Sequence, residues 1–435
     1  MQRFHVLILC PAIMLSPIIF TVCLAQDGGP LRAGEARINI TPDEPVALAG
    51  YGFRTGTSEG VHDSLYARVL AFACGAERLV LISTDLIGYY NGTAERFRRV
   101  LCNAAGLNPS QLLLAGIHTH SGPSLTLGGD DMPESNRRYT EKLLELLVRA
   151  VNSALGDMEP VRGGIGRGSS PVACNRRELR TDGIGWPREE LIKLGRNIHG
   201  SVDREVQLLR LSRMNGDPLA ALFAYGCHAT SLGGENMQIS GDLLGLAEQF
   251  VESTFGPELI APAFAGASGD VDPWYRVLPG FNTGSGWTPE TMLLGQLLGV
   301  EVVHVYRAID ENEFSGPIVS QIFKLTVPGK EKGEFDPEAV APQREIILTA
   351  ARIGDAAFLG LGAEVASEIG LEIKNSSPFD CTFIFTHCNG AAGYLVPEHF
   401  YAEGGYEAMT SPFAPAAAGR VIKKALDMLY RLSAH

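Results

Sequence analysis

Two hydrophobic regimes alternate along this chain. Short, nearly continuous apolar runs have the length of buried strands: "LVLISTDLI", "LLLAGI", "VQLLRL", "LAALFAYGCH", "IAPAFAG", "AAFLGLG" and "CTFIFTHC". Between them, apolar residues recur three and four apart. "AERFRRVLCNAAG" closes on a glycine stop, and "NRRYTEKLLELLVRAVNSALG", "GDLLGLAEQFVESTFG" and "PAAAGRVIKKALDMLYRL" keep the same helical spacing. Interleaved strands and helices predict an α/β domain of layered mixed β-sheets flanked by helices. No linker, repeat or low-complexity tract interrupts the pattern, so one large domain is expected over residues 31–435. The runs lack strict alternation, and the pattern alone does not order the strands.

Polar residues with useful chemistry fall where the apolar runs end. In "LLLAGIHTHSGPS" an extended backbone would turn His118 and His120 to the same side. Such a pair serves a metal site, a proton-transfer site or an ordinary polar strand end. His228 closes "LAALFAYGCH", and Glu364 follows "AAFLGLGA". A buried carboxylate needs a cation, a proton or an arginine beside it. The glycines of "GASGDVDPWYR" permit tight turns, and at least one of Asp270 and Asp272 is expected to be a turn-stabilising residue. "ACNRRELR" offers Arg176 and Arg177, which could hold a carbonyl or carboxylate, or could belong to a solvated face.

Composition narrows the field. A formal charge of −13 argues against nucleic-acid binding and against docking on anionic membranes. Residues 1–25 read as an export signal: Arg3, a long apolar core, and small residues before a cleavage point after Ala25. The competing reading, a retained anchor, is interrupted by Pro11 and Pro17. Export to the periplasm or exterior is therefore expected, with no later apolar run long enough to span a bilayer. Outside that leader lie Cys74, Cys102, Cys174, Cys227, Cys381 and Cys388; no two have C-x-x-C spacing, so a cysteine zinc site is not expected.

Taken in order, several segments resemble the zinc-dependent catalytic domain of the neutral ceramidase family. They run from "AGEARINITPDEPVALAGYGF" through "AGIHTHSGP", "CNRRE", "CHATSL", "GASGDVDP" and "LGAEVAS" to "GYLVPEHFY". The resemblance implies hydrolysis of an amide bond, with Zn²⁺ bound by His118, His228, Glu364 and Tyr394. It implies that His120 and Arg176 stand beside the metal to orient substrate or stabilise charge. Three departures stand out: Asp272 occupies the place of the family's serine, "CHATSL" carries alanine where proline is usual, and "LYRLSAH" falls where the family's β-rich C-terminal domain would follow.

An aspartate cannot replace a serine hydroxyl. The expectation is instead that Asp272 serves as general base toward water activated by the metal, or that it recruits a second ion. The segment "RELRTDGIGWPREELIKLGRNIHG", residues 177–200, is too polar for a fatty-chain slot. The expected substrate therefore widens from ceramide to other N-acylated lipids or small molecules, including polar or sugar conjugates. The alternative in a different class is a zinc-containing lipid- or glycan-binding protein without turnover.

Overall fold

The computed structural model describes residues 29–129, 132–179, 191–274, 289–310, 316–330 and 342–434. The leader at 1–25 and the middle of the polar 177–200 segment lie outside the described residues. The predicted layered α/β architecture is present. An eight-stranded sheet has the order Ala263–Ala265, Pro218–Tyr225, Glu205–Arg213, Glu159–Ser169, Arg32–Asn39, Tyr66–Cys74, Glu77–Thr84 and Leu112–Gly116. A four-stranded sheet runs Ile318–Pro328, Gln343–Ile353, Ala356–Leu361 and Cys381–Phe385.

Apolar faces dictate the layering. Leu70, Phe72, Leu113 and Phe264 of the first sheet pack on Phe358, Phe383 and Phe385 of the second. The outer face of the first sheet is covered by the helices Thr93–Ala105 and Glu134–Gly156, and further along by Asp242–Phe255 and Pro289–Ala308. The outer face of the second is covered by Ser367–Ser376 and Ala417–Ser433. Sheets buried on both faces explain why their strands read as continuous apolar runs. The glycine stop is also real: Gly106 closes the first helix at φ 61°, and its N–H reaches the Cys102 carbonyl.

Within these two sheets most neighbouring strands are antiparallel, but three pairs are parallel: Glu77–Thr84 with Leu112–Gly116, Pro218–Tyr225 with Ala263–Ala265, and Ala356–Leu361 with Cys381–Phe385. The loops leaving their carboxyl ends meet. The Thr386 N–H donates to the Ala265 carbonyl at 2.9 Å, and the Asn389 N–H to the Leu114 carbonyl at 2.8 Å. Carboxyl ends of parallel strands are where open α/β sheets leave room for a ligand. All six described cysteines are buried free thiols. Among the described residues no helix is long and apolar enough to cross a membrane.

Candidate metal centre

Each parallel pair delivers one or more of the predicted site residues. His118 lies two residues beyond its strand with φ 65°, so period-two alternation is not what turns it. Its backbone N–H donates to the Leu86 carbonyl at 2.9 Å, and its Nδ1–H to the Ile87 carbonyl at 2.8 Å. His120 is returned to the same side by its N–H bond to Ala229, 3.1 Å away. The two imidazoles converge as expected, but through loop geometry rather than a strand. His228, three residues past Tyr225, donates Nδ1–H to the Ser268 carbonyl at 2.7 Å. Since a carbonyl can only accept, both Nδ1 atoms carry the proton, and both Nε2 lone pairs point inward.

Those lone pairs face a carboxylate. Glu364 Oε1 lies 3.3 Å from His118 Nε2 and 2.8 Å from His228 Nε2, while His120 Nε2 is 3.4 Å from His118 Nε2. The nitrogen donors of His118, His120 and His228 all lie within 4.8 Å of one another. The two bare imidazole nitrogens and the carboxylate aimed at one point repel each other unless a proton or a cation sits between them. Donors about 2.0–2.1 Å from a tetrahedral ion stand about 3.3 Å apart, close to two of these separations. The His228–Glu364 approach is shorter by half an ångström. The donor set, imidazole nitrogens with one carboxylate, fits a zinc-type ion.

Burial opposes charge on Glu364, but with a proton on the facing imidazoles the positive charge of His118 and His228 outweighs it and holds the carboxyl well below the usual range. Burial, together with repulsion from His118 and His228, pushes the His120 imidazole well below its ordinary pKa. Tyr394 is brought to Glu364 by a pair of two-residue parallel strands, Glu364–Val365 and Tyr394–Leu395. Its phenol, hydrogen-bonded to the Glu364 carboxylate, is pushed well above the usual tyrosine range, chiefly by burial and then by that negative charge.

Arg176 sits in the next shell outward. Its Nη2 donates to Tyr394 Oη at 3.0 Å, its Nη1 to Asp272 Oδ1 at 3.1 Å, and its Nε to Glu407 Oε1 at 2.8 Å. Neither Arg176 nor Arg177 lies on a solvated face; Arg177 is buried against Glu407 and stacks on Phe400 at 3.6 Å. Asp272 stands behind Arg176, and Thr230 Oγ1 also donates to its Oδ1, at 3.2 Å. Asp270 is the turn-stabilising member of its pair. Its carboxylate accepts from Asn175 Nδ2 and from the N–H and Oγ of Ser367.

A cavity of about 770 Å³ opens onto His118, His120, Glu364 and Tyr394. Its walls bring in residues that strand-end reasoning passed over: Tyr51, Arg54, Tyr90 and Tyr406. The Gly-Tyr segment at 50–51 was visible only as part of the family resemblance. Arg54 clamps its surroundings, donating to the carbonyls of Ala49, His120, Gly233 and Gly234. His387 was also missed, although it follows its apolar run "CTFIF" much as His118 and His228 follow theirs.

Sequence comparison matches residues 32–274 to the N-terminal part of the neutral/alkaline non-lysosomal ceramidases. The chain belongs to that family. It is 28% identical over 244 residues to neutral ceramidase B of Dictyostelium discoideum, covering 52% of this chain and 33% of that protein. It is 25% identical over 287 residues to the neutral ceramidase of Pseudomonas aeruginosa, covering 62% and 41%. The matched segments thus span well under two thirds of these relatives. The crystal structure of the Pseudomonas aeruginosa neutral ceramidase shares the fold, with a TM-score of 0.76 at 19% identity, over 93% of this chain and 74% of that one.

Proposed function

We propose that this protein is a metal-dependent hydrolase that cleaves the amide bond of an N-acylated substrate, with Zn²⁺ held by His118, His228, Glu364 and Tyr394. One observation carries the reading: two imidazoles, locked as Nδ1–H tautomers by backbone carbonyls, aim bare Nε2 atoms at a carboxylate on the floor of a large cavity. A binder without a metal has no physical need for that costly convergence. Bound there, the ion would supply Lewis acidity toward a carbonyl and lower the pKa of water toward neutrality.

The chain's own groups divide the remaining work. His120, neutral at pH 7 by virtue of its depressed pKa, orients the amide from the cavity side. Arg176 keeps its charge, because burial is outweighed by Tyr394, Asp272 and Glu407, and stands behind the Tyr394 phenol. That positive charge favours negative charge developing on a substrate oxygen in front of the phenol. Asp272 takes the proton-accepting role in place of the family's serine. The ceramidases it resembles act, by name, on ceramide. Here the tyrosines of the cavity wall, with Arg54, Asn91 and Thr57, favour a substrate with a polar head on the same amide, such as an N-acyl amino sugar. Export through residues 1–25 is part of the same proposal.

The test is metal analysis of the purified protein together with release of free amine from short- and long-chain N-acyl sphingosines and N-acyl amino sugars. About one zinc per chain and release from at least one class is expected. Stoichiometric zinc with no cleavage across the panel would favour the binder instead.

A further inference from the structure

His387 is fully buried, and neither of its ring nitrogens has a hydrogen-bond partner. It lies flat on His118, with ring centroids 3.7 Å apart and planes within 11°. Its backbone sits at φ 52°, a region a non-glycine residue occupies at a cost. Three unfavourable features at one residue call for a reason. Packing alone gives none, since a leucine would fill nearly the same volume without stranding two polar atoms.

The loop around it is fixed from both sides. Thr386 bonds through its N–H and its hydroxyl to the Ala265 carbonyl, and its hydroxyl also reaches the Gly266 carbonyl. Asn389 uses its side chain to hold the backbone of Leu112 and Leu114 and the hydroxyl of Thr349. The His387 N–H donates to the Ala363 carbonyl at 3.2 Å, one residue before Glu364. The ring therefore cannot swing away, and the same loop ties the strand ends that carry His118 and Glu364. Gly88 also borders His387: a Cβ there would lie 3.4 Å from the His387 Cβ.

We infer that His387 is a positioning residue for the metal centre, a rigid aromatic backing that fixes the ring plane of His118 and favours the state in which that imidazole carries a cation. The inference rests on the metal reading above. A ligand imidazole becomes electron-poor when its Nε2 coordinates, and a parallel neutral ring answers that polarisation while restricting rotation about χ2. Groups behind a ligand of this kind change metal affinity about 10–100-fold. The stranded nitrogens cost the fold stability with or without the ion, which is why removing them is expected to raise the metal-free Tm.

The full chain is prepared metal-free as wild type, His387→Leu and His387→Phe. Zinc affinity is measured by competition with a chromophoric chelator, the visible bands are recorded with Co²⁺, and metal-free melting is followed by calorimetry. For His387→Leu we expect zinc affinity to fall about tenfold, the Co²⁺ bands to shift, and the metal-free Tm to rise. His387→Phe, which keeps a stacked ring, is expected to retain affinity within about threefold of wild type, well inside the range for outer groups. A merely structural histidine would give the opposite pattern: lower metal-free Tm and unchanged zinc affinity for His387→Leu. That result, or equal affinity losses for both variants, overturns the inference while leaving the metal centre standing. A wild-type protein that binds neither ion removes both.

Discussion

Glu364 and Tyr394, 30 positions apart, face each other as direct partners across two short parallel strands, and the phenol of one bonds to the carboxylate of the other. Backbone pairing thus fixes a side-chain contact that is also one Arg176 contact away from Asp272. Tyr394→Phe keeps the ring and the strand pairing while removing the oxygen. Turnover should fall by at least the roughly tenfold to hundredfold seen when ligand-supporting groups are lost, with zinc affinity falling as well. Equal zinc affinity and equal kcat in the variant would mean that the phenol is a bystander.

Gly50 presses on His120. Its backbone has φ 98°, and a Cβ at this position would stand 2.4 Å from the His120 Cγ. No real side chain tolerates that approach, so Gly50→Ala must move the imidazole or the loop. The left-handed backbone adds about 1–3 kcal/mol of strain. The variant is expected to keep its zinc, because His118, His228 and Glu364 are untouched, while kcat/KM drops at least tenfold, the order of a misplaced positioning group. A crystal structure of Gly50→Ala with His120 unmoved would contradict this.

Much of the layout was legible because burial writes itself into sequence. Strands covered on both faces appear as apolar runs, and the residues just past those runs emerge at the carboxyl ends of parallel pairs. His118, His228 and Glu364 were found that way. Tyr394 was reachable only through the family resemblance, since a two-residue strand leaves no periodic trace; Arg176 was a candidate from "ACNRRELR", but its burial was not legible there. Tyr51 and Tyr90 join the wall from loops and Tyr406 from the start of the short helix Tyr406–Thr410, segments that share nothing locally. His387 is the instructive miss. It carries the same signal as His118, a histidine after a buried strand, yet nothing in the sequence says that its ring meets another ring.

Asp272 can be separated into two roles by two substitutions. Its Oδ1 accepts from both Arg176 and Thr230, so Asp272→Ala removes a potential base and also one of the partners that hold Arg176. Asp272→Asn keeps an oxygen acceptor for those donors and removes only the charge and the proton-accepting capacity. If Asp272 is the base, both variants should lose about 10²–10⁴-fold in kcat, the usual weight of general-base catalysis. Turnover retained by asparagine but lost in alanine would assign Asp272 to holding Arg176 instead. Full activity in both would remove it from the mechanism.

Beneath the centre, Arg68 is wholly buried among three carboxylates, with Nη1 3.2 Å from Asp85 and 2.6 Å from Glu248, and Nε 2.7 Å from Glu252. Glu252 shares its other oxygen with Arg37, while burial also raises the Asp85 carboxyl despite Arg68. Burial raises the Glu248 carboxyl well above 4.5 despite Arg68; Glu252 is lowered, because Arg68 outweighs its burial. The signs oppose. A raised carboxyl contributes stability that is complete below the unfolded value near 4.5 and is lost as pH rises through its folded value. A lowered one contributes stability present above 4.5 and lost on acidification. Removing Arg68 leaves buried charge uncompensated, so Arg68→Met should cost about 3–5 kcal/mol. Glu248→Gln replaces the protonated acid with a permanent neutral isostere. Wild-type stability should therefore decline on the alkaline side by up to about 1.4 kcal/mol per pH unit for the one proton, and Glu248→Gln should flatten that decline. Denaturant unfolding of both proteins from pH 5 to 9 measures it directly, and parallel slopes would mean that Glu248 is already ionised in the folded state.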